Sequence, residues 1–122
     1  MSAGGKLTRK RRSERKGRRA EWLAAFALML KGYRISALRY KTPLGEIDLV
    51  ARKGDLIAFI EVKARRDLAA GVDSVSYASQ RRIRAAGDVY ISRQPDAERL
   101  SWRFDIIVVS PWRWPVHLED AF

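Results

Sequence analysis

Cysteine is absent from this 122-residue chain, and histidine occurs once, as His117. Without cysteine there is no disulfide framework, no thiolate zinc site and no cysteine nucleophile. A reducing, cytoplasmic setting fits that composition. A single histidine excludes a multi-histidine metal site and confines any Ser-His-Asp chemistry to His117. Long apolar runs are missing too: the longest, Trp22 to Leu30, has nine residues, against the ~18 that a bilayer span needs. Acid is scarce relative to base, with 14 Asp plus Glu against 25 Lys plus Arg and a formal charge of +11.

The length suits one domain, and 47% apolar residues support a packed core rather than disorder. Residues 1–19 carry nine basic side chains and one acid, Glu14. The sequence therefore divides into a basic N-terminal arm, 1–16, and a single domain, 17–122. Arg9, Lys10, Arg11, Arg12, Arg15 and Lys16 in the arm, with Arg18 and Arg19 just after it, form a polyanion-binding segment. Such segments work through counterion release and carry no base specificity; nucleic acid is the expected partner. The arm followed by Trp22–Leu30 has the layout of a secretory leader, but Lys31-Gly32-Tyr33-Arg34 offers no small-residue cleavage site.

Helical character is expected from an N-cap at Ser13 to about Lys31, with Leu23, Phe26, Ala27 and Leu30 on one buried face and Trp22, Leu28 and Met29 widening it. Gly32 suits the C′ position. Strands are expected at Tyr33–Lys41, Glu46–Lys53 and Leu56–Ala64, with Gly54-Asp55 as a type II′ hairpin loop. Residues 65–73 read as a loop. Ser74 or Ser76 caps a second helix to about Ser92, with Ile83, Ala86 and Tyr90 inward. A fourth strand, Ser101–Val109, precedes a short tail. The order is α-β-β-β-α-β, a mixed sheet flanked by helices. The helix between the third and fourth strands calls for a parallel pair.

Alternation puts Ile47, Leu49 and Ala51 on one face of the second strand and Glu46, Asp48 and Val50 on the other. With Gly54-Asp55 as the loop, paired positions sum to 109. Asp48 then faces Glu61 with Cβ atoms ~5 Å apart, and Lys63 shares the face of Glu61. Two carboxylates opposed near a core repel each other. A hard divalent cation relieves this, because Mg²⁺ takes one or two carboxylates together with water and substrate phosphate. On spacing alone, the same residues also read as a Glu61–Lys63 ion pair at a solvated strand end.

Gly45-Glu46-Ile47-Asp48-Leu49-Val50-Ala51 and Phe59-Ile60-Glu61-Val62-Lys63-Ala64-Arg65 resemble the bacterial YraN-like family of small proteins. So do Gly17-Arg18-Arg19-Ala20-Glu21, Gly32-Tyr33-Arg34-Ile35, Arg103-Phe104-Asp105 and the ending Glu119-Asp120-Ala121-Phe122. The likeness spans about residues 15–122. That family is similar to the restriction-endonuclease-like PD-(D/E)XK nucleases, archaeal Holliday-junction resolvases in particular. The resemblance implies an αβββαβ endonuclease-like core. It implies Asp48 and Glu61 as ligands for Mg²⁺ or Mn²⁺ and Lys63 as the catalytic lysine. Glu21, Gln80 and Glu46 are the auxiliary candidates, and Ile47 stands where the superfamily motif carries proline.

The expected activity is metal-dependent phosphodiester hydrolysis, on branched or structured DNA, by an enzyme that pairs two sites in a homodimer. The alternatives are a nucleic-acid-binding module with a vestigial site and an adaptor acting through protein contacts. Arg65 is expected to meet phosphates, and Arg81, Arg82 and Arg84 fit that role or a solvated helix face. Trp112-Arg113-Trp114 suits either stacking on unpaired bases or covering a sheet edge. Asp105 reads as a support for the site or an exposed strand residue, and His117 as structural.

Overall fold

The computed structural model describes residues 17–122. The basic arm, the Ser13 cap, and Arg9, Lys10, Arg11, Arg12, Arg15 and Lys16 lie outside them. Helix α1 covers 17–30. Gly32 at φ +92° ends it: Gly32 N–H donates to the Met29 carbonyl and Tyr33 N–H to the Leu28 carbonyl, both at 3.0 Å, which is a Schellman closure. Strands β1 (Arg34–Thr42), β2 (Gly45–Lys53) and β3 (Leu56–Ala64) follow. Next come α2 (Leu68–Asp73), α3 (Tyr77–Ser92), β4 (Ser101–Val109) and β5 (Val116–Leu118).

The five strands form one mixed sheet in the order β1-β2-β3-β4-β5. The β3–β4 pair is parallel and the other three are antiparallel. The expected αβββαβ order holds. Two short elements join it where a loop and a tail were expected. Asp67 caps α2 by accepting the Ala70 N–H at 2.8 Å, and β5 pairs the tail with β4. The β2–β3 register sums to 109 from Lys53↔Leu56 to Leu49↔Ile60. Gly54 sits at φ +61° while Asp55 stays out of the left-handed region, the type II′ pattern. Ser76, not Ser74, caps α3 by accepting the Ser79 N–H.

Helices cover both faces of the sheet. On one, Ala20, Ala24, Ala25 and Leu28 of α1 pack on Leu49, Ala51, Ala58, Ile60 and Ile107. On the other, Ile83, Ala86 and Ile91 of α3 pack on Val50, Ile57, Phe59 and Phe104.

The expected face of α1 is corrected. Leu23, Phe26 and Leu30 are about half exposed or more, as are Trp22 and Met29. Ala27 and Leu28 are buried with the other alanines. A side of methyl groups lets the helix axis lie close to the sheet, which leaves the bulky side chains beside it facing outward. A second correction concerns β2. Ile47 packs with Val50 and Phe59 on the α3 side, not with Leu49 and Ala51. Alternation breaks at Asp48, and opposite it Arg39 takes φ +52° and is left unpaired, while the register itself shifts between Ile35 and Ala37. No helix among the described residues is long and apolar enough to cross a membrane.

Candidate active site

The site lies where the β2–β3 ladder ends. Beyond Leu49↔Ile60 the two strands no longer exchange backbone bonds in register. The Asp48 carboxylate takes over, with Oδ2 accepting the Val62 N–H at 2.8 Å. Glu61 and Lys63 project from the last turn of the pleat in β3, with Lys63 Nζ 3.1 Å from Glu61 Oε1. Glu21 comes from α1 and is held by Arg39, whose Nε donates to Oε2 at 2.9 Å and Oε1 at 3.3 Å.

Two adjoining cavities meet at these residues. One, of about 380 Å³, is lined by Arg39, Glu46, Ser79 and Arg82 together with Glu21, Asp48 and Glu61. The other, of about 310 Å³, shares those three acids and adds Lys63 and Arg65. Gly45 brings β2 against α3. A Cβ there would stand 2.5 Å from the Arg82 carbonyl oxygen, so only glycine permits that approach.

The electrostatics single out Asp48. Arg39 neutralises Glu21, and Lys63 neutralises Glu61. Asp48 is the one member of the shared trio with no cation at ion-pair distance among the described residues. Burial pushes its carboxyl up, the Glu61 charge pushes it further, and the Val62 N–H opposes both; the result is about 7. A carboxylate left in that condition lacks a positive partner.

The donor set fits a hard divalent cation. Among the described residues, no three acidic, histidine or cysteine side chains converge to cage an ion unaided. Mg²⁺ does not require such a cage, since it keeps several waters and binds through one or two carboxylates plus substrate phosphate. Asp48 and Glu61 supply that number.

The remaining sequence candidates divide. Glu46 lines the first cavity at its exposed rim, and Arg82 lines it from α3. Gln80 does not reach it; its amide donates to the Val75 carbonyl at 3.4 Å, and Ser79 takes the place nearer the acids. Arg81 lies over the Tyr77 ring and Arg84 over Phe104. Arg18 and Arg19 are exposed on α1. Arg39 was not singled out in the sequence. It stands in a strand pattern like any alternating basic residue, and only its left-handed backbone turns it to Glu21.

Asp105 is neither of the things its strand position suggested. It is fully buried, with Arg103 Nε donating to its Oδ1 at 2.9 Å and His117 Nε2 lying 2.7 Å from its Oδ2. Lys31 can only donate, so His117 accepts at Nδ1 (2.9 Å) and presents its Nε2 proton to Asp105. The Asp120 N–H adds a further bond. His117 is therefore structural, pinning the tail to the sheet.

The profile of the uncharacterised protein family UPF0102 matches residues 20–109. A UPF0102 protein of Chelativorans sp. is 60% identical over all of this chain and 98% of its own. One from Rhizobium meliloti is 59% identical with both chains fully covered. One from Mesorhizobium japonicum is 58% identical over 93% of this chain and 90% of its own.

Proposed function

This chain belongs to the UPF0102 family, and from that premise we propose that it is a cytoplasmic, metal-dependent nuclease hydrolysing phosphodiester bonds in branched or structured DNA. The observation that carries the reading is Asp48, a carboxylate with no cation partner among the described residues, beside Glu61 and Lys63 in an open polar cavity. Asp48 and Glu61 would hold Mg²⁺ or Mn²⁺, and such a cation supplies Lewis-acid polarisation of the phosphodiester and a water acidic enough to attack near neutral pH.

The side chains have distinct roles. Lys63 has three N–H donors and spends one on Glu61. A second meets a non-bridging phosphate oxygen, where negative charge builds in the transition state. A third orients the attacking water. The new P–O bond forms in line as the bond to the departing sugar oxygen breaks; the attacking water gives its proton to solvent, and the departing oxygen takes one from solvent. Arg39 holds Glu21 at the cavity wall, its Nε donating to Oε2 at 2.9 Å. Arg65 and Arg82 flank the acids and are placed to contact backbone phosphates, which fix register without reading sequence. Paired incision of a branched substrate calls for two copies of the site in a symmetric dimer.

The test is a cleavage assay on single-stranded, duplex, flap and four-way-junction DNA with Mg²⁺, Mn²⁺ or EDTA, run beside Asp48→Asn. Cutting that needs metal and vanishes in the variant is expected. Binding without cutting on every substrate overturns the enzymatic reading in favour of a nucleic-acid-binding module.

A further inference from the structure

Beside the carboxylate cavity runs a larger groove of about 930 Å³. Its floor is apolar, built from Leu23 of α1, Ala64 and Val109 at the strand ends, and Pro111. Its rim carries Arg19, Arg65, Arg66 and Arg113, and among the described residues no acidic side chain lines it. Trp112 and Trp114 stand along it. Trp114 is braced edge-on against Phe26, with ring centroids 6.3 Å apart. Trp112 projects into solvent: among the described residues it is 103% exposed, and its backbone is left-handed at φ +61°. Both features are unfavourable for a tryptophan in isolation.

The groove is continuous with the site. Ala20, Ala64 and Arg65 line both. A ligand lying in the groove therefore passes next to Glu61 and Lys63.

We propose that this groove holds unpaired DNA, with a base stacked on Trp112 and the backbone tracked by the rim arginines, so that the substrate enters the site from a single-stranded segment. This rests on the nuclease reading above and adds the substrate's structural class to it. The reasoning is complementarity of two kinds. Arg19, Arg65 and Arg113, with Arg66 shared with Asp67 at 3.5 Å, match a phosphate backbone. Exposed aromatic faces match bases whose own faces are free, as they are in a single strand and are not inside a duplex. An apolar floor alone would suit many ligands, but the arginine rim favours a polyanion that also presents flat apolar surfaces.

The experiment uses the full chain in EDTA, so that binding is read without cutting. Fluorescence anisotropy is measured on a labelled single-stranded oligonucleotide, the blunt duplex of the same sequence and the duplex with a single-stranded flap. The proteins are the wild type, Trp112→Ala and Trp112→Phe, with sedimentation of each to follow oligomeric state. Trp112 is fully exposed, so its truncation leaves the core untouched. Trp112→Ala is expected to weaken single-strand and flap binding about tenfold and duplex binding less than about twofold, and Trp112→Phe is expected to restore most of the loss. Equal losses on all three DNAs overturn the proposal. So does unchanged binding, and so does a shift in oligomeric state without a change in DNA affinity, which would assign the groove to a second copy of the chain. If metal-dependent cleavage is present while Trp112→Ala binds like wild type, this inference alone falls. If the wild type binds none of the three DNAs, the nuclease reading falls with it.

Discussion

Asp48 and Val62 are joined across the seam between β2 and β3 by a side-chain hydrogen bond, Oδ2 to N–H at 2.8 Å, where the backbone ladder has just ended at Leu49↔Ile60. The carboxylate therefore does two jobs at once. It closes the sheet where the strands part, and it carries a charge that burial and Glu61 both oppose. The two jobs respond differently to substitution.

Asp48→Asn keeps an oxygen to accept the Val62 N–H and removes the opposed charge. The variant is expected to lose metal-dependent cleavage and to become more stable at pH 8, by about 1 kcal/mol or about 4 °C in Tm. Differential scanning calorimetry beside the cleavage assay checks both. A Tm below wild type would show that the charge, not the oxygen, holds the seam.

In the proposed reaction Lys63 donates to developing phosphate charge, and Lys63→Ala removes that donor. Cleavage is expected to fall by about 10²–10³, while DNA affinity measured in EDTA stays within about twofold. The separation matters, because a lysine serving only as a partner for Glu61 would leave the rate intact.

Asp105 anchors the tail through Arg103, His117 and the Asp120 N–H. Burial raises its carboxyl, but the bonds from His117, Arg103 and Asp120 outweigh burial and hold it below the usual carboxylate value. Its folded pKa is thus lower than its unfolded one. The stabilisation is fully present above the unfolded value, about 4, and drains away as pH falls through the folded value. Asp105→Ala leaves the Arg103 guanidinium without its buried partner, at an expected cost of about 3 kcal/mol or more. Urea unfolding from pH 7 down to pH 2 is expected to show a flatter acid limb in the variant than in wild type.

Gly45→Ala places a methyl group 2.5 Å from the Arg82 carbonyl, a backbone atom that cannot swing aside. The helix or the turn must shift, at an expected cost of about 1–3 kcal/mol. Because Arg82 lines the site, cleavage is expected to drop as well; thermal unfolding and activity of the same preparation test the link.

Much of the fold was readable in the chain because local rules agreed with each other. Gly54-Asp55 set the hairpin, the hairpin set a register summing to 109, and that register, which ends at Leu49↔Ile60, points to Asp48 and Glu61, which line the same cavities. The failures share a cause. Periodicity assumes that the largest apolar residues are the buried ones, but α1 buries alanines and exposes Trp22, Leu23, Phe26, Met29 and Leu30. Asp105 looks like an exposed strand residue until β5 and the tail bring its partners from 12 and 15 residues away. Arg39 depends on a backbone angle that no pattern of side chains announces. Distance along the chain and departures from regular dihedrals are what a single sequence hides.

The left-handed Arg39 also has a bearing on how these molecules behave at high concentration. β1 is the long open edge of the sheet, and β5 guards the other side with only three residues. A straight, nine-residue edge is a template for intermolecular strand pairing. Arg39 kinks that edge at its middle, and Arg34 and Lys41 charge its ends. The bend that delivers a cation to Glu21 thereby discourages fibrillar association, so the arrangement of the acidic cavity and colloidal solubility depend on the same residue.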